Sequence, residues 1–92
     1  MSTFYFLEGD SVAKKNLDEI LSMINFLLED TTLPRNIKRV IQEAKNTLLS
    51  EQDFQTKVSS AIQMLVEVSE DVNMPSHIRT YVWDILMRLE SI

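Results

Sequence analysis

Apolar residues recur along this chain at three- and four-residue intervals, in four separate stretches. Leu17, Ile20, Leu21, Ile24, Leu27 and Leu28 fall on one stripe of a helix, as do Ile37, Val40, Ile41, Ala44 and Leu48. A third stripe holds Phe54, Val58, Ala61, Ile62, Leu65 and Val68, and a fourth Ile78, Tyr81, Val82, Ile85, Leu86 and Leu89. Nowhere does apolar–polar alternation of period two run long enough for a strand. The pattern predicts an all-α chain with helices near residues 11–29, 33–49, 51–71 and 74–91.

Helix-end chemistry agrees with those bounds. Ser50-Glu51-Gln52-Asp53 has the form of a capping box, which would start the third helix just after Ser50. Thr32 and Asn73 each stand two residues before a proline. Their side chains are expected to cap the second and fourth helices, with Pro34 and Pro75 in the first turn, where a missing N–H costs nothing. Asp10 or Ser11 is the expected cap of the first helix.

The strongest organising signal is an internal repeat. Glu29-Asp30-Thr31-Thr32-Leu33-Pro34, followed by Ile37-Lys38, returns 41 residues later (Glu29 to Glu70) as Glu70-Asp71-Val72-Asn73-Met74-Pro75, followed by Ile78-Arg79. The match extends outward: Met23 with Met64, Ile24 with Leu65, Leu27 with Val68, Ile41 with Val82, Leu48 with Leu89. Each half reads as a helix hairpin, residues 11–49 and 50–92, preceded by an aromatic extension over 1–10. Short turns force antiparallel neighbours, so the predicted architecture is an up-down-up-down four-helix bundle in one domain. A two-repeat HEAT-like stack is the alternative; it would leave an apolar face uncovered.

Composition narrows the function classes. One glycine and two prolines in 92 residues leave few breakers, in keeping with helices. Cysteine is absent, which removes disulfides, thiolate nucleophiles and Cys-ligated metals and fits a reducing compartment. The Phe4-Tyr5-Phe6-Leu7 run is too short for a signal-peptide core, and no apolar run approaches membrane-spanning length; the expected location is cytoplasmic, with no membrane partner. A net charge of −5 disfavours nucleic acid, whose binding rests on neutralised phosphates.

Candidate chemistry is sparse. Glu29, Asp30, Glu70 and Asp71 hold equivalent places and would approach one another if the repeats packed about a pseudo-two-fold, giving a possible carboxylate metal site. The Glu-x-x-His element of di-iron bundles is missing, however, because His77 has Met74 three residues before it. The plainer expectation is that these acids close helix ends and pair with Arg35, Lys38 or Arg79. Arg35, Lys38 and Arg39 form a small basic cluster early in a helix, where the dipole disfavours cations; a phosphate or polynucleotide would suit it, with Glu29, Asp30 and Glu43 as the local alternative. His77, the only histidine, defines no site alone. No nucleophile motif is present, so the reading is non-enzymatic with no cofactor.

The outward-facing apolar residues say more. Trp83 and Met87 lie one turn apart, off the fourth stripe; Phe26 lies off the first, and Met23 and Met64 occupy matching flanks. Such a surface marks a protein-interaction or self-assembling module, a homo-oligomer with the dimer favoured, unless the Phe4–Leu7 segment folds back to cover it.

The repeated Glu-Asp-x-x-(Leu/Met)-Pro-x-x-Ile-(Lys/Arg) segments, with Leu28 before the first and Trp83 after the second, resemble those of a family of small archaeal proteins with no assigned activity. The resemblance spans residues from about 17 to 90 and omits the aromatic N-terminal stretch. It implies a four-helix bundle in an archaeal cytosol and transfers no catalytic residue.

Overall fold

The computed structural model describes the backbone from residue 2 to residue 92 and the side chains from residue 15 onward. Four helices follow one another: α1 (Ser2–Leu28), α2 (Arg35–Leu49), α3 (Phe54–Ser69) and α4 (Ser76–Glu90). Each apolar stripe is buried as its period requires. Ile20, Ile24 and Leu27 on α1 meet Ile37, Ile41, Ala44 and Leu48 on α2. Val58, Ala61 and Leu65 on α3 and Ile78, Val82, Ile85 and Leu89 on α4 complete the same core.

The helices form a closed ring. α1 packs on α2, α2 on α3, α3 on α4, and α4 returns to α1; among the described residues the diagonal pairs make no backbone approach. In a HEAT-like stack, α1 would lie on α3 and α2 on α4, so the seam between α1 and α4 decides for the four-helix bundle. Among the described residues, every buried apolar residue except Leu86 has a buried apolar counterpart at the repeat offset, from Leu17 with Val58 to Leu48 with Leu89. Leu33 and Met74, in the two equivalent turns, are also buried and plug the core at that end.

The helix ends depart from expectation. Ser50 does not open α3. Its hydroxyl donates back to the Thr47 carbonyl at 2.7 Å, and its own carbonyl accepts from Lys57 Nζ at 3.4 Å, so it closes α2 instead. α3 starts later, with Asp53 as an N-cap that makes no side-chain cap bond. Thr32 and Asn73 are not caps either. Pro34 and Pro75 occupy the N-cap positions, with extended ψ of 148° and 143°, and their carbonyls accept from Lys38 N (3.0 Å) and Arg79 N (2.9 Å). Proline suits this place because the N-cap N–H has no partner inside the helix.

α1 begins at Ser2, before the expected residue 11, so neither Asp10 nor Ser11 stands at its start. Gly9 alone costs a helix about 1 kcal/mol relative to alanine and does not stop it. The cover expected from the Phe4–Leu7 side chains lies outside the described side chains. Among the described residues, no helix is long and apolar enough to cross a membrane.

Ile41 is fully buried whereas Val72 is 90% exposed. Ile41→Ala should lower unfolding stability by about 2–5 kcal/mol through the cavity it leaves. Val72→Ala should stay within about 0.5 kcal/mol of the parent chain. Urea denaturation followed by helical circular dichroism measures both.

Candidate functional site

The repeated Glu-Asp segments build two matching turns. Each chain reversal begins as the aspartate N–H donates to a carbonyl of the preceding helix: Asp30 N to Leu27 O at 3.0 Å, Asp71 N to Val68 O at 3.2 Å. The carboxylate then accepts from the backbone two residues on, Thr32 N at 2.7 Å and Asn73 N at 2.8 Å. The Thr32 hydroxyl also donates to Asp30 Oδ1. This is the local hydrogen bonding for which turns select aspartate.

The two turns are also braced across the repeat. Asn36 Nδ2, in the first turn of α2, donates to Asp71 Oδ2 at 3.5 Å, and His77 Nε2, in the first turn of α4, lies 3.5 Å from Asp30 Oδ2. Asn36 and His77 are repeat equivalents, so each half reaches into the turn of the other. The pseudo-two-fold does bring the two aspartates to one end of the bundle. Glu29 and Glu70 are exposed there and join neither brace. Among the described residues, no three His, Asp or Glu side chains gather closely enough to hold a metal ion.

The basic residues are placed differently from expectation. Asp30 and Asp71 pair with His77 and Asn36, and not with arginine or lysine. Arg79 instead serves the end of α3: its Nε donates to Ser69 O at 3.0 Å and its Nη2 to Asp71 O at 3.2 Å. A cation on the Ser69 carbonyl satisfies an orphan acceptor of the helix C-terminus and opposes its dipole, while the second bond ties Arg79 to the turn. Lys38, its repeat equivalent, makes no such bond among the described residues. Arg35, Lys38 and Arg39 are exposed on the outer side of α2 and form no ion pair within 4 Å among the described residues.

The apolar candidates divide into two groups. Met23 and Met64 pack against the core, with Met64 Sδ accepting from the Thr47 hydroxyl at 3.9 Å. Trp83, Met87 and Phe26 remain 53%, 68% and 65% exposed. Phe26 stacks on Tyr81 across the α1–α4 seam, with centroids 5.6 Å apart and an interplanar angle of 29°. Val66 on α3 adds another exposed apolar side chain.

The repeat supplies a comparison for this surface. The equivalents of Trp83 and Met87 are Gln42 and Asn46, which are hydrogen-bonded to each other at 3.2 Å on α2. One copy of the hairpin is polar at the two positions where the other carries an indole and a thioether. At the opposite end of the bundle from the braced turns, Phe54, Val58, Ile62, Leu89 and Ile92 floor a groove of about 270 Å³ between α3 and α4, rimmed by Gln55, Ser59 and Glu90. Asn36 and this groove escaped the sequence reading, and Tyr81 was read only as part of the fourth apolar stripe. The match of Asn36 to His77 at the repeat offset was the available signal for the first.

A family model described as "Uncharacterised protein family (UPF0147)" matches residues 8–92. The UPF0147 protein of Archaeoglobus fulgidus is 39% identical over 82 residues, covering 89% of this chain and 94% of that protein. That of Thermococcus kodakarensis is 43% identical over 67 residues, covering 72% and 81% respectively. A crystal structure of a protein of unknown function superposes with a TM-score of 0.80 at 46% identity, over 84% of this chain and 89% of that one. A second, of a protein from the same uncharacterised family in Thermoplasma acidophilum, gives 0.80 at 28% identity, over 85% and 93%. These likenesses carry the fold and no activity.

Asp30 gives the braced end an acid signature. The Thr32 hydroxyl and N–H hold its carboxyl below the usual carboxylate range, with a smaller contribution from His77 and against a small cost of desolvation. The folded chain therefore holds this proton less tightly than the unfolded chain. The associated stability is present above the unfolded value of about 3.9 and is lost as pH falls through the lower folded one. Asp30→Asn should lower stability at neutral pH and flatten its decline below about pH 4, as read by urea denaturation at a series of pH values.

Proposed function

Because this chain belongs to the uncharacterised protein family UPF0147, we propose its role from the surface on which its two halves differ: a non-enzymatic protein-interaction module that docks through the outer face of α4. The observation that carries this reading is the exposure of Trp83 and Met87 where the first hairpin places Gln42 and Asn46. Neither large side chain belongs to the buried core among the described residues. An exposed indole beside a thioether loses apolar hydration on docking, and tryptophan is enriched among the residues that dominate binding energy. Phe26, stacked on Tyr81, is a separate exposed apolar side chain at the α1–α4 seam.

The working compartment in this reading is the cytoplasm, in keeping with a chain that contains no cysteine. The partner is a protein: a second copy of the chain, or another. Neither the acidic turns nor the exposed cations of α2 gather into a constellation that favours a rival reading.

Trp83→Ala should leave helicity unchanged and weaken partner binding by about 2 kcal/mol, roughly thirtyfold in affinity. Gln42→Ala, at the equivalent place, should change neither. The check is recovery of tagged protein from its native cells after a salt wash, with mass spectrometry and stoichiometry of what is retained. Retention of the same proteins by parent and Trp83→Ala, or of no second protein chain at all by the parent, would sink the reading.

A further inference from the structure

The outer face of α4 carries two pairs of residues, each spaced by one helical turn. Asp84 and Arg88 line the edge toward α1, where Arg88 Nε lies 3.5 Å from Asp84 Oδ1 and Arg88 Nη1 lies 3.8 Å from Glu19 Oε2. Trp83 and Met87 take the opposite edge and the crest of the same face. Within each pair the members are chemically complementary: an indole with a thioether, a carboxylate with a guanidinium. All four side chains are exposed.

We infer that this face binds the same face of a second copy, with the two α4 helices antiparallel about a two-fold axis level with Ile85. A two-fold lying in the interface keeps each edge against its own copy while reversing direction along the helix. Trp83 of one chain then meets Met87 of the other, Asp84 comes within reach of Arg88 on the other, and every contact occurs twice. Parallel pairing about an axis along the helices would instead exchange the edges, setting the charged pair of one chain against the apolar pair of the other. The self-complementarity of the charges under reversal is what selects a second copy over an unrelated protein. Two chains of net charge −5 repel at a distance, so the reciprocal ion pairs fix orientation while the apolar pairs hold the contact. An interface centred on one 15-residue helix falls near the small end of specific interfaces, about 1,200 Å² of buried surface, and is expected to form in the micromolar range. This inference rests on the docking role given to α4 above and specifies its partner.

The test is charge exchange. Asp84→Arg places Arg against Arg across the two-fold, and Arg88→Asp places Asp against Asp. By sedimentation at micromolar concentration the parent chain should weigh as a dimer, and each variant alone should dissociate at concentrations roughly tenfold higher or more. An equimolar mixture of the two variants should recover the dimer, because every cross-chain pair is then opposite in sign. Trp83→Ala, which alters no charge, should dissociate the dimer as well, with helicity checked for all variants. Trp83 is the only tryptophan, so dilution of the parent through its dissociation range should also move emission to longer wavelength. A parent chain of single mass throughout overturns the inference, as does a variant mixture no heavier than its components. If that single-mass parent still loses a bound protein on Trp83→Ala, the docking role survives and only the second-copy assignment falls.

Discussion

Neither helix hairpin of this chain can hide its own apolar stripe, and that constraint shapes the rest of the molecule. Two antiparallel helices cover only part of each other, leaving Leu17, Ile20 and Ile24 on one hairpin and Val58, Ala61 and Leu65 on the other in need of a lid. The hairpins cover each other, and the duplicated spacing makes the cover fit: among the described residues each buried apolar side chain but Leu86 has a counterpart at the same place in the other half. Closure of the ring follows, because an open stack would leave α1 without α4 and expose side chains that are now fully enclosed.

The interior was legible in the sequence because burial depends on helical phase, and phase survives any error of a few residues at the ends. Ile20, Ile24, Ile41, Leu65, Val82 and Ile85 could be placed inside before any geometry was known. The ends were less legible for a physical reason. Asp30, Thr32 and Pro34 all have recognised uses at a helix start, and only the path of the backbone decides among them. Here Asp30 takes the turn N–H, Thr32 donates instead of accepting, and Pro34 moves to the cap position. The cross-repeat braces were beyond local reasoning, since Asn36 and Asp71 lie far apart in the chain. Arg79 was half legible: its recurrence with Lys38 marked it as structural, but not that it serves the carbonyls at the end of α3.

Duplication also clarifies the surface. Leu86 and its equivalent Lys45 apart, the described core positions are apolar in both halves, while positions facing outward are free to diverge. Phe26 corresponds to Glu67, Trp83 to Gln42, and Met87 to Asn46. In each of these comparisons one hairpin supplies the ordinary solvated form of the site, and the other departs from it toward an exposed apolar side chain. The candidate site is therefore defined less by any chemical motif than by the broken symmetry of an otherwise even molecule.

The braces between the turns have a mechanical consequence. The two hairpins are joined covalently at one end only, through residues 50–53, where α2 passes into α3. At the far end they are tied by Asn36 to Asp71 and by His77 to Asp30. The bundle is thus built like a clasp, with a peptide hinge at one end and a pair of polar catches at the other. The seam between α1 and α4, which no loop crosses, is the line along which such a clasp would open.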